Sequence, residues 1–225
     1  MKTILLITAI CVTTFCAAQE TEEKQIIEKG TWNITGKTSI NFSNSTDYSY
    51  PTSLFFGDTR ETSSSSILIT PSFGYAFKDN ISLGLGLQYR NYTSEGTISD
   101  DITSNSSKST QHGLGIAPYV RAYKGIGKQL SLYLQGEANY FKSWNSNKLN
   151  NQNDQNDYNI NTIFIGIRPG ITYFLNKKLA MEVNYGSLGY SFSELKYDAG
   201  NYSKNNNFNL NLNTSGLLFG VAYYF

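Results

Sequence analysis

Apolar and polar residues alternate one by one along most of this chain, and no segment carries a sustained helical period. Ile67, Ile69, Pro71, Phe73, Tyr75 and Phe77 alternate with Leu68, Thr70, Ser72, Gly74 and Ala76. After Lys78-Asp79-Asn80 the pattern resumes, with Ile81, Leu83, Leu85, Leu87 and Tyr89 set against Ser82, Gly84, Gly86, Gln88 and Arg90. A period of two is that of a strand with one apolar face, and the polar triplet between two such runs predicts a tight hairpin. The unit recurs in residues 114–123 and 130–140 around a turn at 124–129, and in 161–174 and 179–185 around Asn176-Lys177-Lys178. Residues 31–42 precede these hairpins and residues 210–225 follow them, which makes eight strands.

The connections alternate in length. Those at 78–80, 124–129 and 176–178 are short; those at 43–63, 93–109, 142–158 and 193–207 are long and polar. A soluble sandwich has no reason to gather its long loops at one end. An outer-membrane barrel has short periplasmic turns and long outer loops. An even strand number then puts both termini on the short-turn side. The stretch 145–157 is almost wholly amide and acid and is expected to be a solvated tip.

Alternation alone fits a lipocalin as well, whose apolar face points into its cup. The opposite face decides between them. Here that face is small and polar and carries Arg90, Arg121, Glu137, Arg168 and Glu182 in mid-strand. These five are expected inside, as a nearly balanced charge network that plugs the lumen. A cation facing lipid at mid-depth costs about 2–4 kcal/mol, so the outward placement is excluded. Aromatics add two rows. Tyr75, Phe77, Tyr123, Tyr173, Phe174, Tyr223 and Phe225 lie toward the short turns; Phe42, Tyr89, Tyr92, Tyr140, Tyr190 and Phe192 lie toward the long loops. Two such rows are the girdles of two membrane interfaces. The fold class is therefore all-β, an eight-stranded antiparallel up-and-down transmembrane barrel.

Composition narrows the class further. Charged residues are 16% of the 225, and mean hydropathy is −0.35, which rules out a multi-span helical membrane protein. Residues 1–18 read as a signal peptide: Lys2, an apolar run over 4–15, and small residues in Cys16-Ala17-Ala18 before Gln19. A lipoprotein anchor at Cys16 is disfavoured by Thr13-Thr14-Phe15 before it. Residues 19–30 are then a short periplasmic segment and 31–225 the barrel. Both cysteines, Cys11 and Cys16, leave with the signal, so no disulfide and no thiolate metal site remain. Loss of Lys2 brings the 18 basic residues level with the 17 acidic ones, and a neutral chain has no electrostatic footprint for nucleic acid.

The segments Ala18-Gln19-Glu20, Pro71-Ser-Phe-Gly-Tyr-Ala-Phe-Lys-Asp-Asn-Ile-Ser-Leu-Gly and Arg168-Pro-Gly-Ile-Thr-Tyr-Phe-Leu-Asn-Lys-Lys-Leu-Ala resemble the eight-stranded outer-membrane barrels, OmpX and the OmpA transmembrane domain, in their Bacteroidetes form. The resemblance covers roughly residues 31–225. The last strand, Leu217-Leu-Phe-Gly-Val-Ala-Tyr-Tyr-Phe225, ends in an aromatic and is similar to the signal read by the outer-membrane barrel assembly machinery. The resemblance implies insertion by that machinery, residence among outer-membrane lipid and lipopolysaccharide, and a monomer. It implies an architecture more than an activity.

Candidate chemistry is sparse. Some barrels of this size modify lipid with a His, a Ser and an acid; His112, with Ser109, Thr110 and Glu95 or Glu61, is the one grouping of that type, but Gly113 and Leu114 follow it where a His-x-Ser would need a serine, and a solvated rim histidine is the favoured reading. Asn153-Asp-Gln-Asn-Asp157 offers oxygen ligands without the spacing, the Gly or the terminal Glu of a calcium loop. No phosphate or dinucleotide fingerprint is present, so no cofactor is expected. Three readings follow: a structural or narrow-pore barrel without catalysis, a surface adhesin or ligand-binding barrel acting through its loops, and a lipid A-modifying enzyme.

Overall fold

A computed structural model describes residues 24–48, 59–99, 104–150, 152–153, 157–197, 202–212 and 217–225. Their strands are β1 (Trp32–Tyr48), β2 (Thr59–Lys78), β3 (Ile81–Ser99), β4 (Ser104–Gly125), β5 (Leu130–Leu149), the two-residue β6 (Gln152–Asn153), β7 (Tyr158–Phe174), β8 (Leu179–Asn184), β9 (Ser187–Tyr197), β10 (Tyr202–Asn211) and β11 (Leu218–Tyr224). All pairings are antiparallel. The order β1-β2-β3-β4-β5-β7-β8-β11 returns to β1 and closes a ring of eight strands. β9 continues β8 beyond a break at Tyr185 and Gly186, where Gly186 sits at φ +73°, a conformation that favours glycine. β10 and β11 likewise divide the last strand.

The expected parity holds on every wall strand. Ile34 and Ile40, Leu83 to Leu87, Ile163 to Ile167 and Val221 face outward and are exposed, while Asn33, Thr35, Lys37, Ser82 and Thr172 are buried inside. The aliphatic face is thus the outer one, which disposes of a lipocalin-like cup. At the short-turn end Trp32 stacks on Phe73 at 4.9 Å and meets Tyr75 in a tilted contact at 4.5 Å. Phe77, Tyr173 and Tyr223 face outward at that end, as Tyr89 and Tyr140 do at the other.

Three aromatics depart from the sequence reading. Tyr123 and Phe174, expected in the lower girdle, turn inward and are buried. Tyr92, expected in the upper one, lines an interior cavity. Each shares the parity of the polar face; their height along the strand is right and their side is wrong.

The long polar loops also differ. β4 runs for 22 residues and β5 for 20, where a tilted membrane strand needs about 9–11. The hairpins extend past the apolar belt as paired ribbons: Ser43 opposes Ser64, Ser94 opposes Ser109 and Ser193 opposes Asn205. Ser, Thr and Asn satisfy a ladder as well as apolar residues do. The apolar alternation therefore marks where strands meet lipid, not where they end. Residues 151 and 154–156 of the expected solvated tip lie outside the described residues.

Residues 24–30, expected only as a periplasmic lead-in, cross the short-turn end. The Gln25 amide donates to the Gly127 carbonyl at 2.9 Å, Ile27 and Asn80 exchange bonds of 3.0 and 2.8 Å, and Gly30 donates to the Ala76 carbonyl at 2.7 Å. Ile27 is 5% exposed and joins Ala76, Tyr123, Tyr133, Phe174 and Tyr224 in one apolar cluster.

Candidate functional site: the barrel interior

Above that cluster the interior becomes charged. Glu182 on β8 is fully buried; its carboxylate pairs with Arg121 of β4 at 3.0 Å and Lys37 of β1 at 2.8 Å, and accepts from the Tyr224 hydroxyl at 2.9 Å. Lys37 also donates to the Tyr133 hydroxyl at 2.9 Å and to Asn184 Oδ1 at 2.6 Å. Arg121 donates to Gln135 Oε1 at 2.7 Å from Nη2 and to the Tyr123 hydroxyl at 2.9 Å, with its guanidinium 4.4 Å from the Tyr133 ring centroid. Gln135 passes the chain on, donating to Glu137 Oε2 at 2.7 Å, while Arg168 holds the other oxygen of Glu137 at 2.9 Å.

Of the five charges expected inside, four are thus brought together: Arg121 with Glu182 and Arg168 with Glu137, joined by Gln135. Arg90 stands apart, its guanidinium 5.3 Å from the Phe141 ring centroid. Lys37, Gln135 and Asn184 are members that the sequence reading did not name. Lys37 had the required signal, since it shares parity with Asn33, Thr35 and Ser39.

Backbone register explains how Lys37 reaches Glu182. Lys37 is paired with Gly220 of β11, and Gly220 with Glu182. A Cβ at Gly220 would overlap Lys37 Cγ. The glycine lets the lysine stem cross one strand and meet the carboxylate on the next.

Other interior glycines seat rings. Tyr119 is paired with Gly84, Tyr133 with Gly170 and Phe141 with Gly115. A Cβ on any of the three glycines would occupy the space of its partner's ring. Aromatic cover of a cross-strand glycine is a stabilising device of sheets, and here it fills the lumen. The glycines that read as small inward residues are receptacles.

The remaining candidates are dispersed. His112 faces outward, its Nδ1 3.2 Å from Asn91 Nδ2, and strand alternation turns Ser109 to the opposite face. Glu95 is taken by Lys108 at 2.7 Å. Among the described residues no group of His, Cys, Asp or Glu could hold a metal. Outside the membrane belt, Glu194 lies 3.0 Å from Lys196 and 3.7 Å from Lys204; the Lys196 hydrogen bond foremost holds its carboxyl below the ordinary range. Phe225 exchanges backbone bonds with Trp32, at 2.7 and 2.9 Å, at the closing seam.

An aliphatic outer belt between aromatic rows, around a polar interior, defines a transmembrane β-barrel. A family model described as "Outer membrane protein beta-barrel domain" matches residues 7–225, and the chain belongs to that family. It is an outer-membrane barrel protein. Among solved structures it is similar to the outer membrane protein OprG from Pseudomonas aeruginosa, at 15% identity and a TM-score of 0.46 over 88% of this chain and 97% of that one. Neisserial surface protein A is similar at 12% identity and a TM-score of 0.40, over 90% and 100%. No curated protein sequence matches.

Proposed function

We propose that this protein is a structural outer-membrane barrel whose lumen is closed at the periplasmic end, without catalysis. The Lys37–Arg121–Glu182 cluster carries this reading: its side chains are 6%, 1% and 0% exposed and bond to one another across the lumen. Ile27 and the rings of Tyr123, Phe174 and Tyr224 lie beneath it. Eight strands leave an interior that side chains can fill. Planar bilayers containing the purified protein are expected to show no steady conductance. A stable open current in most insertions would defeat the closed lumen.

The long ribbons face outward from the cell in this reading, with the signal peptide removed and the chain inserted from its Phe225 end. A membrane-impermeant amine reagent on intact cells is expected to label Lys108 and Lys204 and to spare Lys177 and Lys178. Labelling of Lys177 or Lys178 in sealed cells would invert the barrel.

Surface binding is the second reading, and one observation favours it. β10 is exposed along nearly its whole length, and it presents Tyr202 and Phe208. Large exposed aromatics are the residue type from which binding hot spots are built. Loss of adhesion on replacing both would favour this role over a purely structural one.

A further inference from the structure

Between the aromatic rows, the interior of the described residues holds Lys37, Arg90, Arg121 and Arg168 against only Glu137 and Glu182. Two positive charges are therefore uncompensated: one belongs to the Lys37–Arg121–Glu182 cluster, and the other is Arg90. Among the described residues Arg90 forms no ion pair and no hydrogen bond; only the Phe141 ring lies against it.

Arg90 is also where the open space is. It lines two interior cavities, of about 330 Å³ and about 360 Å³. The first contains Arg168, Gln88, Asn139 and Tyr119 as well; the second rises toward the long-ribbon end through Asn41, Ser66 and Gln111. The sole carboxylate lining either one is Glu137, and both its oxygens are already taken, by Arg168 and Gln135. Two further groups at the first cavity lack partners: the Tyr119 hydroxyl, which can donate, and Asn139 Oδ1. The Asn139 amide nitrogen is held by Gln88 at 2.9 Å.

A guanidinium presents a planar fork of donors that matches a carboxylate or phosphate, and the Phe141 ring lies against it, 5.3 Å from its centroid. Arg90 is exposed within the lumen, so its donors are open to a solute that enters from the long-ribbon end. We propose that the upper lumen is a dead-end cup that binds a small soluble oxyanion, a phosphate or a carboxylate, between Arg90 and Arg168. The neutral hydroxyl and amide walls above let an anion descend without holding it. This inference rests on the closed lower lumen argued under the proposed function.

Inorganic phosphate titrated calorimetrically into the full chain tests it, with the protein refolded in a polyoxyethylene detergent that carries no phosphate. Saturable one-site binding is expected, weakened at least tenfold in Arg90→Gln and unchanged in Lys108→Gln, with folding of each variant verified by unheated gel mobility. A titration that never saturates, or Arg90→Gln binding like the parent, would overturn the proposal. A second arm adds phosphatidic acid to the micelles. Unchanged phosphate binding supports a soluble occupant; suppression would assign the site to a lipid headgroup and overturn it. Failure of the closed lumen is read separately, as a steady bilayer current in the parent protein, and leaves the phosphate result standing.

Discussion

Glu182→Gln is expected to lower the stability of the folded barrel by about 3–5 kcal/mol, because removing one partner of a buried ion pair leaves the other charged and dehydrated. Here two cations are stranded, since Lys37 and Arg121 both end on this carboxylate. The three charges sum to one positive, which makes the effects unequal. Lys37→Met leaves Arg121 and Glu182 as a neutral pair and should cost clearly less. Equilibrium urea unfolding in lipid vesicles measures both. Salt adds a check: exposed pairs such as Lys108–Glu95 are screened, whereas the loss at Glu182 should persist at high ionic strength. Equal, small effects for the two variants would show the cluster to be solvated and uncoupled.

Gly170→Val is the second large effect, at about 3 kcal/mol, from overpacking. A Cβ at position 170 would lie inside the Tyr133 ring. That ring has no room to retreat: it is 4% exposed, faces the Arg121 guanidinium, and its hydroxyl accepts from Lys37. Displacing it therefore loosens the charge cluster as well. The diagnostic is coupling. In the presence of Tyr133→Ser, which empties the space, Gly170→Val should cost far less than it does alone. Strictly additive losses would mean that the glycine serves the backbone and not the ring.

These two positions mark how far the sequence could be read. Parity gave the strands, the outward belt and the inward side of Arg121, Glu137, Arg168 and Glu182, because period two is a local property of the backbone. Which charges meet is not local. Glu182 finds Lys37 only because Gly220 lies between them, and β11 is placed there by closure of the ring. Tyr123 and Phe174 show an avoidable error: they were placed by height along the strand, although their parity with Arg121 and Thr172 points inward. Residues 24–30 carry no alternation, so their crossing of the short-turn end had no signal. The ribbons beyond the belt were hidden for the opposite reason: with solvent on both faces, polar strands have no apolar period to display.

The seam between β1 and β11 has a kinetic meaning. Among the described residues it joins the two ends of the chain over the Trp32–Phe225 pair and six more, Asn33 to Thr38 with Tyr224 to Phe219, while β1 meets β2 over seventeen. Hairpins zip with little loop closure, but this seam must close nearly the entire chain and is therefore the slow, late step. Lys37 and Glu182 stand on either side of it, one strand apart from β11. In an unclosed sheet both remain hydrated, so the dehydration of the lumen charges is deferred until the termini meet. The barrel thus commits its most polar cargo to the interior only when the wall that excludes water is complete, and opening at that seam is the route by which it would be released.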